Sequence, residues 1–187
     1  MHFNEHYNLE GKHAFLGASR NSWLNYTTDK LEKVYFSNLK KQEGTELHAF
    51  ASSAIKHRIK LAKLKKALNL FVNDAIGFGM ESEQVLYYSD NCFGTADAIL
   101  FKDGLLRIHD LKTGDIPVIH FTQLDIYAAL FCLEYDVDPM KITYVERLYQ
   151  GSQYTESEPD PQLIKDISQK IVEFDKELDQ LQNNLDR

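Results

Sequence analysis

Only two cysteines, Cys92 and Cys132, occur in 187 residues, so no disulfide framework is available and a reducing compartment, the cytoplasm, is the expectation. No run approaches the ~20 apolar residues that a membrane span needs. The opening Met1-His-Phe-Asn-Glu-His has neither the basic start nor the apolar stretch of a secretory signal. Basic charge is short as well: 21 Lys and Arg against 28 Asp and Glu leave a net charge of −7. That balance excludes indiscriminate binding to polyanions. Internal repeats and low-complexity segments are absent. What remains is a chain with 12% aromatic and 26% charged residues, long enough to bury one real core.

Charge is unevenly distributed. Lys56-His-Arg-Ile-Lys-Leu-Ala-Lys-Leu-Lys-Lys66 contains no acid. It is either a solvated face or, with Lys56 and Arg58 nearest its start, a track that neutralises backbone phosphates. Residues 156–187 are rich in Asp and Glu and should keep away from DNA.

Residues 1–18 read as irregular, punctuated by Gly11 and Gly17. Short helices are predicted over 19–26 and 28–40, the second capped by Thr28. A third helix should run from 45 to 58 with His48 in its first turn. Residues 73–79 read as loop, 83–88 as a first strand, 119–135 as a helix and 141–149 as a further strand. After a linker over 151–161 comes a long helix. Its apolar residues Ile164, Ile167, Ile171, Phe174, Leu178, Leu181 and Leu185 alternate by three and four, a heptad seam that either packs on its own domain or zips to another subunit. This order predicts an α/β fold, a central mixed β-sheet flanked by helices with a long C-terminal helix. Residues 1–154 would form the core and 155–187 the heptad-bearing element.

The stretch from Phe93 to Gly114 carries the chemistry. Asp103-Gly104 is a preferred centre for a two-residue type I′ turn, because both central residues need positive φ. With that turn, strands 92–102 and 105–112 pair so that Asp97 lies opposite Asp110. Asp97, Ile99 and Phe101 then share a face with Leu106, Ile108, Asp110 and Lys112. Opposed carboxylates repel at ~5 Å, and apolar neighbours raise their pKa values. Three arrangements relieve this: one acid keeps its proton, Lys112 pairs with them, or a divalent cation sits between them. The cation reading gives Asp97 and Asp110 as ligands, with the Leu111 carbonyl as a further hard donor and Lys112 free to hold a water or a phosphoryl oxygen. Mg²⁺ or Mn²⁺ suits oxygen ligands of this kind. The chemistry is then phosphodiester hydrolysis.

Five elements in order, Gly44-Thr-Glu-Leu-His48, Gly94-Thr-Ala-Asp97, His109-Asp110-Leu111-Lys112, Gln123 and Tyr127, resemble the PD-(D/E)XK nuclease superfamily, and within it the RecB-like exonuclease branch. They cover somewhat under half of the chain, and the whole is similar to small phage and prophage nucleases. Asp97 follows alanine where the superfamily's name has proline. Members that hold an iron–sulfur cluster use four cysteines, which this chain lacks. The resemblance implies a restriction-endonuclease-like core. It also implies that Asp97, Asp110 and Leu111 bind metal, that Lys112 is catalytic, that His48 contacts metal, and that Gln123 and Tyr127 hold the substrate and Lys112.

The function so implied is a Mg²⁺- or Mn²⁺-dependent deoxyribonuclease, an exonuclease of phage or bacterial DNA recombination, repair or processing. DNA, single- or double-stranded, would be its partner, with no membrane association. A second copy or a recombination protein would meet the C-terminal helix. The alternatives are a structure-selective endonuclease with the same site, or a non-enzymatic binding or assembly protein that keeps the fold.

Overall fold

The computed structural model describes residues 14–16 and 18–185. The expectation of irregular structure over residues 1–18 falls almost wholly outside them, as does the side chain of the last heptad residue, Leu185. Contacts divide the chain into a unit up to Glu43 and a unit from Gly44 onward. The first holds a 3-10 helix, Ala18–Asn25, and the opening turns of helix α1 (Thr28–Lys56), with Phe15 edge-on to Tyr35 at 5.3 Å.

The second unit is an α/β structure with a five-stranded mixed sheet. Its strands are β1 (Glu81–Ser89), β2 (Cys92–Lys102), β3 (Leu105–Lys112), β4 (Thr143–Gln150) and β5 (Gln153–Ser157), which neighbour one another in chain order. Only β3 and β4 run parallel, joined through helix α3 (Thr122–Glu134); the other pairs are antiparallel. Helix α2 (Ala67–Phe78) precedes the sheet, and α4 (Pro161–Leu185) closes the chain.

The central hairpin has the expected bounds, and its register holds from Lys102–Leu105 to Ala98–His109; the expected Asp97–Asp110 pair is not formed, because the strands part beyond that point. Asp103 (φ 52°) and Gly104 (φ 77°) both take the left-handed conformation that a type I′ turn demands, and Ile99 pairs with Ile108. Apolar residues fill both sides of the sheet. One core joins Leu86, Ala96, Ile99, Leu106, Ile108 and Leu148 to Leu124 and Ala128 of α3 and Ile164 of α4. The other joins Ala98, Leu111 and Tyr149 to Ala51 and Ile55 of α1 and Phe71 and Val72 of α2. Small residues let α1 approach closely: Ser52 Oγ lies 3.1 Å from Ser82 Oγ on β1.

Several expectations are corrected. The helices expected over 28–40 and 45–58 are one helix, uninterrupted at Gly44, so His48 sits well inside α1 and not in a first turn. The Thr27 hydroxyl, not that of Thr28, accepts from the Lys30 N–H at its start (3.3 Å). Residues 73–79 are not a loop but the second half of α2, ended by Gly79 (φ 78°) in the left-handed conformation that helix C-termini favour. The linker after β4 contains β5, turned by Gly151 (φ 64°). Ala96 and Ala98 belong to opposite cores, so strict alternation fails at Asp97. The heptad seam packs on its own unit near its start, where Ile164, Ile167 and Ile171 join the core beside α3; Phe174, Leu178 and Leu181 stay exposed. Among the described residues no helix is long and apolar enough to cross a membrane.

One core position is costly. Glu146, on β4 between Tyr144 and Leu148, is 1% exposed and neither carboxyl oxygen has a hydrogen-bond partner. Burial first, and then Asp125 of α3, push its pKa up to about 8 from the usual 4.5. The folded chain keeps a proton that the unfolded chain releases near pH 4.5, so this residue's contribution to stability falls as pH rises from about 4.5 to about 8. Glu146→Gln should flatten that part of the stability–pH curve and melt above the parent at pH 8. Denaturant titrations of both proteins across pH 5–8 check it.

Candidate metal centre

Asp97 is fixed from two directions. The Leu111 N–H on β3 donates to its Oδ2 at 2.8 Å, and His48 Nδ1 of α1 lies 3.3 Å from the same oxygen. The ladder between β2 and β3 ends at Ala98 and His109, so the Asp97 side chain caps the diverging strand where the next pair would form.

Glu83 completes the cluster. One donor atom each from His48, Glu83 and Asp97 lies within 4.8 Å of the others. Glu83 stands opposite Asp97 in the β1–β2 register, between the pairs Ser82–Ala98 and Gln84–Ala96, and its φ of 52° interrupts the strand there. Both strands change sides at this level. Ser82 and Ala98 face α1, whereas Leu86 and Ala96 lie in the core with α3.

Asp110 is 3% exposed and sits 2.8 Å from Lys112 Nζ. That contact is a charge-assisted pair made by Asp110 Oδ2. Lys112 Nζ also donates to Gln123 Oε1 at 2.7 Å, and Gln123 Nε2 donates to Tyr127 Oη at 2.9 Å. Gln123 and Tyr127, four apart on α3, therefore act along one helix face. A chain of polar contacts thus runs Asp110, Lys112, Gln123, Tyr127.

The electrostatics follow from this crowding. Hydrogen bonding to Asp97 raises the His48 pKa against the opposing effect of burial, and Asp110 and Glu83 add to the rise. Burial, then Asp97, raises Asp110, with Lys112 pulling the other way. Burial and Asp97 also raise Glu83, offset by His48 and Lys56. Three carboxylates and one imidazole with excess negative charge make a donor set for a hard or borderline divalent cation. His48, Glu83 and Asp97 are the atoms placed to hold it. Asp110, paired with Lys112, acts on His48 and Asp97 through its charge.

Of the residues singled out in the sequence, His48 and Asp97 come together, and so do Asp110, Lys112, Gln123 and Tyr127. Leu111 takes part through its N–H, its side chain being buried in the core. Lys56 lines an open groove of about 490 Å³ with Thr45, His48, Ser52, Ser53, His57 and Glu83. Arg58 does not line it; it takes the left-handed conformation (φ 56°) in the turn that ends α1. Glu83 and His57 were missed. For Glu83 the signal was hidden: the turn at Asp90–Asn91 alone sets one register, and an irregularity between Tyr87 and Ser89 shifts it by one residue, bringing Glu83 and not Gln84 opposite Asp97.

A family model described as "Protein of unknown function (DUF2800)" matches residues 80–155, under half of the chain. The match spans β1 to β4, α3 and the first part of β5, and so includes Glu83, Asp97, Asp110, Lys112, Gln123 and Tyr127, while His48 lies outside it. No curated protein and no solved structure matches the chain.

Two glycines report on how tightly the site is packed. A Cβ on Gly94 would stand 2.8 Å from Tyr127 Cε1, a ring atom, and one on Gly44 would stand 2.8 Å from Thr113 Oγ1. The threonine hydroxyl can rotate away, and alanine is the better helix former by ~1 kcal/mol. The tyrosine ring is held by Gln123 and cannot yield so easily. Gly94→Ala should therefore destabilise by about 1–3 kcal/mol, and Gly44→Ala should be near neutral. Thermal melts of the two variants check the contrast.

Proposed function

We propose that this protein is a divalent-metal-dependent nuclease that hydrolyses phosphodiester bonds of DNA and works from strand ends. The supporting observation is the position of Lys112, two residues after Asp110 on one strand. Gln123 holds it beside a carboxylate–imidazole cluster built by two further strands and α1. This agrees with the resemblance to the RecB-like branch of the PD-(D/E)XK superfamily. The groove beside His48, with Lys56 and His57 in its wall, offers a place for the phosphate backbone.

The residues divide the work. His48, Glu83, Asp97 and Asp110 would hold Mg²⁺ or Mn²⁺, whose chemistry is to lower the pKa of a water and to neutralise charge on a phosphoryl oxygen. The Leu111 N–H keeps the Asp97 carboxylate turned toward His48. Lys112 directs its ammonium at the attacking water or at a non-bridging phosphate oxygen. Gln123 orients that ammonium, and Tyr127 orients Gln123. Positioning of this kind is worth about 10²–10⁴ in rate when a proton must be held or moved.

Calorimetric titration with Mn²⁺ should give a binding isotherm that Asp97→Asn removes and that Glu83→Gln weakens by roughly tenfold. End-labelled linear DNA should release nucleotides in Mg²⁺ or Mn²⁺ while closed circular DNA survives. Asp110→Asn and Lys112→Met should lower the rate by about 10²–10⁴. Undiminished activity of both variants in a clean preparation refutes the proposal, and cleavage of the closed circle converts it to an endonuclease.

A further inference from the structure

Glu83 and Asp97 are one rung of a longer face. Beyond the level where the strands change sides, Leu86, Gly94 and Ala96 point to α3, so Val85, Tyr87, Phe93 and Thr95 point the other way, on the side of the carboxylates. The cross-strand pairs on that side are Glu83 with Asp97, then Val85 with Thr95, then Tyr87 with Phe93. Successive pairs lie two residues apart, so the last stands about 13 Å from the acids.

That last rung is aromatic and bare. Phe93 is 62% exposed and Tyr87 46% exposed, with ring centroids 6.4 Å apart and planes at 26°. The Tyr87 hydroxyl donates to Asp90 Oδ1 at 2.9 Å, which fixes its ring in place. A phenylalanine so exposed in a regular strand contributes little to folding, since most of its apolar area never leaves water. The patch is also narrow, two rings and the neighbouring Val85, far below the ~800 Å² per side of a stable protein interface. It suits a flat, planar partner.

We propose that Tyr87 and Phe93 form a base-stacking platform for a single-stranded nucleic acid whose backbone continues along the hairpin to the His48–Glu83–Asp97 cluster. The part of the proposal that delivers a scissile phosphate to that cluster rests on the nuclease reading; the stacking itself does not. Stacking on aromatic faces tolerates any base, because every base has a π-face. Asp90 beside the rings repels a phosphate, so it is the base that meets them. A lysine stands at the opposite end, where Lys56 shares a groove with His48 and Glu83. A strand lying along this face would therefore have a base held at one end, the carboxylate cluster in the middle and backbone neutralisation at the other.

The test measures binding and hydrolysis separately. Fluorescence anisotropy with a labelled oligothymidylate of roughly ten nucleotides, in Ca²⁺, should show Phe93→Ala weakening the complex by about 5- to 150-fold. Phe93→Trp should restore it, with the introduced indole quenched on adding the oligonucleotide. Hydrolysis of bis(p-nitrophenyl) phosphate in Mn²⁺, a diester too short to reach the rings, should be unchanged by Phe93→Ala, which also checks that the variant folds. Oligonucleotide binding unaffected by Phe93→Ala, or equally damaged by Phe93→Trp, overturns the platform. So does a loss of self-association in sedimentation with binding intact, which would make the patch a protein contact. Failure to hydrolyse either substrate, with binding that depends on Phe93, removes the nuclease reading and leaves the platform standing.

Discussion

Negative charge gathered at one level of the sheet is the constraint around which the second unit is arranged. Asp97 stands on β2, with Glu83 on β1 to one side and Asp110 on β3 to the other. Each addition raises the energy of the anions already there. The backbone answers with a donated N–H from Leu111, α1 with His48, and β3 with Lys112. None of these neutralises the group completely. Asp110 meets Lys112 at 2.8 Å, yet burial and Asp97 still raise its pKa. Among the described residues, His48, Glu83 and Asp97 are a group that could hold a metal ion.

The architecture makes this crowding geometrically possible. Chain reversal at Asp103–Gly104 sets the register of β2 on β3, and the close packing of α1 through Ala51, Ser52 and Ala54 brings His48 to the sheet surface. Gly44, one turn before His48 on α1, lets the helix pass Thr113, and Gly94 lets the Tyr127 ring lie against β2. Small residues here do not loosen the structure. They permit close approaches, and at Gly94 a methyl group would meet the Tyr127 ring.

Legibility from the sequence tracks the range of the interaction that decides each feature. Hairpin bounds and register were readable because a two-residue turn fixes both locally. The Lys112, Gln123 and Tyr127 chain was readable as an ordered motif with helical spacing, and the structure joins its members by hydrogen bonds. Glu83 was not readable, because its partner depends on an irregularity near Tyr88 that no local pattern announces. The continuity of α1 through Gly44 was also hidden. Glycine in an isolated helix argues for a break, yet α1 runs through it and packs Ala51 and Ile55 into the core. Residues 73–79 were misread because Asn73 and Gly77 suggest a loop. Asn73 in fact faces outward from α2 and exchanges two hydrogen bonds with the Leu61 backbone, tying down the basic segment.

The sheet's strands lie side by side in the order in which they leave the ribosome, and a single parallel joint interrupts the run of reversals. Three of the four strand pairings are therefore local in sequence and inexpensive in chain entropy. The fourth must wait until α3 has crossed from β3 to β4. Gln150, at the end of β4, then grips the crossing segment through Gly114, Ile116 and Val118. Lys112 lies at the entrance to that crossing and Gln123 in the first turn of α3. The bond from Lys112 to Gln123 spans the same loop that Gln150 holds, so the grip of β4 on that loop and the aim of the ammonium share one stretch of chain.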